Sequence, residues 1–233
     1  IEPELVLEFT PWLAVTAGLV FEPVEDLDPD EDRAFEDHGL YVETLVAELS
    51  FDPVVVHIGK FTPRFGFAVD NVPGLLGDTF AEDVEVTERV GFGATYAFGG
   101  GTMGSFELQG SVFYRDTSLL SESFFTDRGD LDKSDGGVGN TEDLSNFAVS
   151  LDAFGLFGAE GLSGRVAYLS QEGGVGDLSD QDAWLIALAY DIPLNEDMSL
   201  YPIIEWASSE DAQGFGDAIS IPGGGQDVLT LGV

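Results

Sequence analysis

The chain has 233 residues, with 44 acidic and 8 basic side chains, a formal net charge of −36, and no cysteine. Nucleic acid is excluded as a partner because a phosphate backbone needs a basic footprint, and disulfide frameworks and thiolate metal sites are excluded with the cysteines. An acidic disordered chain is excluded too, since 44% apolar and 12% aromatic residues exceed what a chain that buries nothing carries, so the charge points to metal cations or to a saline medium.

Eleven segments alternate apolar and polar side chains, the period of a strand with one greasy face. In chain order they cover 3–9, 13–24, 39–50, 54–65, 84–98, 105–117, 145–156, 162–172, 182–193, 199–209 and 227–233. The connections alternate as well. Tight turns hold the expected breakers, Thr10-Pro11-Trp12, Phe51-Asp52-Pro53, Gly99–Thr102, Gly158–Gly161 and Asn195–Asp197. Long acidic connections fill 25–38, 66–83, 118–144, 173–181 and 210–226. All hairpin turns therefore fall at one end of a sheet and all long loops at the other.

Parity assigns the faces. In 84–98 the even positions Val84, Val86, Val90, Phe92, Ala94, Tyr96 and Phe98 oppose Glu85, Thr87, Arg89, Gly91 and Thr95. In 105–117 Phe106, Leu108, Val112 and Tyr114 oppose Glu107, Gln109, Ser111 and Arg115. In 182–193 Trp184, Ile186, Leu188, Tyr190 and Ile192 oppose Ala187, Ala189 and Asp191. A two-sheet sandwich would also alternate. Three features favour an antiparallel up-and-down transmembrane β-barrel over it: the apolar face runs through nearly every segment, aromatics gather near segment ends, and the opposite face is small and polar. No stretch is long and apolar enough for a transmembrane helix. The aromatics in question are Phe9, Trp12, Phe21, Tyr41, Phe51, Tyr96, Phe98, Phe106, Tyr114, Tyr168, Trp184, Tyr190 and Trp206.

Glu43, Glu88 and Lys60 break the rule by falling on the nominal lipid face. A Lys or Arg at mid-bilayer costs about 2–4 kcal/mol, and less near the interface. They are expected near the long-loop rim or displaced by a bulge, with Gly59 a natural place for one. The first and last segments run in the same direction. One further strand before Ile1 makes twelve, an even number as in bacterial barrels. No leader opens the sequence, so any signal peptide is removed or left out, and the single domain is expected to be truncated at both ends.

Gly59–Gly66, Asp70–Gly74, Phe80–Gly93, Asp116–Ser121, Arg128-Gly129 and Ser134–Thr141 together resemble an uncharacterised porin-like group of outer-membrane proteins of diderm bacteria. The chain is only loosely similar to phosphate- and sugar-selective porins. The resemblance implies a bacterial outer-membrane location, a passive diffusion channel, lipid and lipopolysaccharide as surroundings, and no catalytic residues to carry over. Porins often form trimers, although no segment here marks a subunit face. The low basic count departs from anion-selective porins.

The expected pore lining is Glu8, Glu48, Glu85, Arg89, Glu107, Gln109, Arg115, Asp152, Arg165, Asp191 and Glu205. Acids outnumber bases there, so a pore should lean towards cations. Arg89 and Arg115 are expected beside Glu85 and Glu107 as opposite-charge pairs across neighbouring strands. Asp26, Asp28, Asp30 and Asp37 start like a calcium loop, but Glu31 replaces its glycine and the flanking helices are missing, which leaves loose Ca2+ or Mg2+ binding. Asp127, Asp130, Asp132 and Asp135 pose the same choice between ion binding and a solvated loop. The apolar content of 66–83 suggests that this loop folds inward. Two histidines in separate segments, His38 and His57, support neither a triad nor a metal site, so no enzyme is expected. The competing class is a sealed structural barrel whose acidic loops bind divalent ions or partner proteins.

Overall fold

The computed structural model describes residues 1–24, 37–71, 84–128, 132–176, 179–195, 198–210 and 225–232. Its main element is one antiparallel sheet of eleven strands, ordered β1-β2-β3-β4-β5-β6-β7-β8-β9-β12-β13. The strands are β1 (Glu4–Thr10), β2 (Leu13–Pro23), β3 (His38–Phe51), β4 (Val54–Phe61), β5 (Arg89–Gly99), β6 (Ser105–Arg115), β7 (Asn146–Phe154), β8 (Leu162–Gln171), β9 (Gln181–Tyr190), β12 (Ile203–Glu210) and β13 (Gln226–Gly232). A two-stranded ladder of β10 (Ile192–Pro193) and β11 (Ser199–Leu200) stands in the β9–β12 connection, and α1 (Ala68–Asn71) is a single helical turn.

Each segment read as a strand from its alternation contains one. The sequential order matches the expected hairpins, since neighbours in the chain are neighbours in the sheet. Two ends differ. The segment 54–65 leaves the sheet after Phe61, because Pro63 cannot donate to a ladder. The segment 84–98 joins the sheet only at Arg89, after Glu88 takes a positive φ of 55°. The stretches 62–71 and 84–88 therefore lie off the wall. No pairing between β1 and β13 is present among the described residues, so the closure expected of a twelve-stranded barrel is not seen.

The sheet is nevertheless strongly curled. Through successive register pairs, Glu205 on β12 lies level with Ala187, Arg165, Asp152, Glu107 and Ala97. Ala97 in turn donates its N–H to the Pro53 carbonyl. In a flat sheet Phe61 and Glu205 would stand roughly 40 Å apart, from six strand spacings across and eight residues along. The chain from Phe61 to Phe67 spans at most about 22 Å. Yet the Phe67 N–H donates to the Glu205 carboxylate at 2.7 Å. Only a curled wall allows this, and it defines an inner and an outer face.

The two faces are inverted relative to a water-soluble sheet. Large apolar side chains point outward and are exposed: Phe92, Tyr96, Leu108, Val149, Val166, Trp184 (51%), Ile186, Leu188, Ile204 and Trp206. Inward positions are small or polar and buried: Gly91, Gly93, Thr95, Gln109, Ser111, Ala148, Ser150, Ala167, Ala183, Ala187 and Ala207. Outward aromatics pack against each other across strands at both ends. Trp12–Phe51 and Phe98–Phe106 lie at the short-turn end, and Tyr168–Trp184 at the long-loop end. Along β9, Trp184 and Tyr190 are separated by six residues, about 20 Å.

A bulge explains Glu43. Gly18 faces Thr44 while Leu19 faces Val42, so Glu43 is skipped in the register and turns to the inner side with Tyr41. The expectation of a bulge-displaced carboxylate was correct there.

Candidate functional site

The inner face is crossed by the segment between β4 and β5. Its residues Phe65, Phe67 and Ala68, with Val84 and Val86 further along, are buried against Phe113, Leu169, Leu185 and the inward alanines of β7, β8, β9 and β12. The small residues on those strands make room for the two phenylalanine rings. The segment folds inward as expected for its described part; residues 72–83 lie outside the described residues.

Beneath this segment one hydrogen-bonded row gathers charged side chains from several strands: Glu107 on β6, Asp152 on β7, Arg165 on β8 and Glu205 on β12. Asp152 is 1% exposed and accepts from Arg165 Nε at 2.6 Å. Arg165 also donates to the Gly66 carbonyl. Arg64, from the inward segment, donates to Glu107 at 2.5 Å and stands 3.6 Å from Asp152. Glu205 Oε2 accepts the backbone N–H groups of Phe67 at 2.7 Å and Ala68 at 2.9 Å. The row thus holds three carboxylates and, with Arg64, two guanidiniums. Buried charges require this kind of pairing.

A second cluster sits at the long-loop end, where the chain leaves and re-enters the wall. Lys60, 2% exposed, donates to Glu88 at 2.8 Å and to Ser121 Oγ at 2.7 Å, and lies 2.9 Å from Asp116. Arg128 forks onto Glu88 with bonds of 2.6 and 3.0 Å and lies over the Tyr41 ring, 3.3 Å from its centroid. Backbone bonds between 120–124 and Leu40 and Val42 fill the gap left on β3 where β4 has ended. Lys60 is tolerated at this rim because every ammonium bond is satisfied. Burial by itself would raise the Glu88 carboxyl, but Arg128 and Lys60 outweigh it and hold it below the usual carboxylate range. Asp116 follows the same logic: burial opposes ionisation, while the Ser118 N–H and Lys60 prevail and lower it.

Gly59 has φ 137°, and a Cβ there would come within 2.2 Å of the Leu45 carbonyl oxygen. That position requires glycine. The β3–β4 register, however, runs through it without a skipped residue.

The remaining expected lining residues are dispersed. Glu48, half-buried, pairs in register with His57. Gln109 is buried on the inner face. Glu8 and Asp191 are exposed, with Asp191 lying beyond the end of β9, and neither joins the row. Glu85 is off the strand, and the expected cross-strand pairing of opposite charges is replaced: Arg89 faces Arg115 directly. Glu107 takes Arg64 instead of an arginine on the neighbouring strand.

Asp26, Asp28 and Asp30 lie outside the described residues, and Asp37 accepts the Val24 N–H through its backbone carbonyl. Asp130 is outside as well. Asp132 and Asp135 cap a short 3-10 turn reciprocally, a structural role. Among the described residues no group of three His, Asp or Glu side chains is placed to hold a metal ion.

Arg64 was missed as a site residue because continuing strand parity to residue 65 put it outside; Pro63 was the signal that the strand had ended. No protein-family model matches the chain, and no curated protein or solved structure matches it either.

Proposed function

We propose that the chain is a porin-like β-barrel of a bacterial outer membrane that passes small solutes passively, with a preference for cations. The observation that carries this reading is the inversion of the two faces. A water-soluble sheet hides its large apolar side chains; here they form the exposed surface while glycine, alanine, serine and charged groups face inward. Lipid is the solvent in which that arrangement is stable. Cross-strand aromatics at both ends support it, since Trp and Tyr favour the two interfaces. Lipid and lipopolysaccharide are the surroundings this reading implies. It also requires a closed edge, because an unpaired backbone group in hydrocarbon costs several kcal/mol. β1 and β13 are like-directed, so antiparallel closure takes one more strand, as in a twelve-stranded barrel.

Selectivity follows from the inner row. Three carboxylates against two guanidiniums leave one negative charge at the level where the inward segment narrows the space. A sealed structural barrel is the second reading, and it rests on that same segment, whose phenylalanines are buried against the inner wall.

Planar-bilayer recording decides between them. The channel reading expects discrete conductance steps and a reversal potential biased to cations under a salt gradient. An absence of steps from correctly folded protein would transfer the proposal to the sealed barrel.

A further inference from the structure

Six of the eight basic side chains of this acidic protein are Lys60, Arg64, Arg89, Arg115, Arg128 and Arg165, and four of these six have carboxylate partners. Arg89 and Arg115 do not. They are direct partners in the β5–β6 register, both on the inner parity of their strands, so two like charges stand side by side. Such a pair is destabilising in itself. The ion pairs of Glu88 and Asp116, the acids held nearby, go to Lys60 and Arg128. The buried Arg89 Nε has no hydrogen-bond partner among the described residues.

Both arginines line a cavity of about 290 Å³ at the long-loop end, together with Glu85, Thr87, Glu88, Asp116, Ser121 and Arg128. The acids on this wall are largely committed. Glu88 is held by Arg128 and Lys60, and Asp116 by Lys60 and Ser121; Glu85 lines the cavity too and has an interaction of its own. On the far side Gly137 lets Arg115 approach, since a Cβ there would come within 2.9 Å of Arg115 Nη1. Its φ of 94° also favours glycine. The wall therefore sets two guanidiniums side by side, with Glu88 acting on Arg89 without an ion pair between them.

We propose that this cavity binds a small oxyanion of the phosphate or carboxylate class, bridged between the Arg89 and Arg115 guanidiniums. Planar guanidinium forks match the paired oxygens of such ions. The Thr87 hydroxyl on the same wall supplies a neutral donor. The site stands eight residues from Glu107 along β6, about 26 Å, and so apart from the charged row. Its occupancy does not depend on whether the lumen conducts.

The test is isothermal titration of the full chain, folded in detergent micelles at low chloride, with inorganic phosphate, a phosphomonoester and acetate as separate arms. A single saturable site is expected, and the arm that binds tightest fixes the chemical class. Arg89→Gln and Arg115→Gln should each weaken binding at least about tenfold. Arg115→Lys, which keeps the charge but loses the fork, should fall between. Glu4→Gln, exposed on β1 and outside both clusters, should bind as the parent does. Gel mobility of folded against heated protein confirms that each variant is folded. No saturable heat from any anion would overturn the proposal, and so would binding unchanged in both glutamine variants.

Discussion

Replacing Glu205 with alanine removes the acceptor of two backbone N–H groups, those of Phe67 and Ala68, in a place where no water reaches them: Glu205 is 1% exposed and Ala68 0%. A buried donor left unsatisfied costs about 1–3 kcal/mol, so the inward segment loses roughly 2–6 kcal/mol of anchoring. The opposing term is the burial of Phe65 and Phe67, each contributing about 1.5–3 kcal/mol. The two are of similar size, so the variant should sit near the point where the segment leaves the inner face in a substantial share of molecules. Urea unfolding of the folded protein in micelles should show a lower midpoint. Single-channel recording should show larger or more frequent steps than the parent. Glu205→Gln keeps an acceptor oxygen without its charge and should lie between the two. Unchanged midpoint and unchanged conductance in Glu205→Ala would refute the idea that this carboxylate latches the segment.

Lys60→Met strands Asp116 at the rim and takes one partner from Glu88; breaking a buried pair on one side costs about 3–5 kcal/mol, and thermal unfolding should fall accordingly. The carboxyls of Glu88 and Asp116 are held below their unfolded values. Their contribution is therefore complete above the unfolded pKa of about 4 and disappears as pH falls through the folded values. The melting temperature should drop below about pH 4, with a shallower drop in Asp116→Asn. Gly59→Ala places a Cβ 2.2 Å from the Leu45 carbonyl at a φ of 137°, so a loss of at least about 1–3 kcal/mol is expected by denaturant titration; a neutral result would remove the backbone argument for that glycine.

The strand pattern was legible because alternation is local: whichever face lies outside, a period of two marks it in every hairpin, and β9 shows this with Trp184, Ile186, Leu188 and Tyr190 on one side and five buried residues on the other. Glu107, Asp152, Arg165 and Glu205 were likewise readable one by one as polar residues on the inner parity. That they share a single row was not, since the row is set by register between strands up to a hundred residues apart. Arg89 against Arg115 is the instructive failure. Strand parity put Glu85, Arg89, Glu107 and Arg115 on one face, whereas the β5–β6 register sets the two arginines opposite each other and Glu85 lies off the wall.

Alternation and turn chemistry thus determined an all-antiparallel chain with one apolar and one polar face. Which face meets solvent, and what the polar face encloses, came only with the curl of the sheet. A segment that leaves its strand before Pro63 can bring Phe67 to a strand six places away only because the wall bends round to meet it. Contacts across that curl are long-range, and no local pattern of residues encodes them.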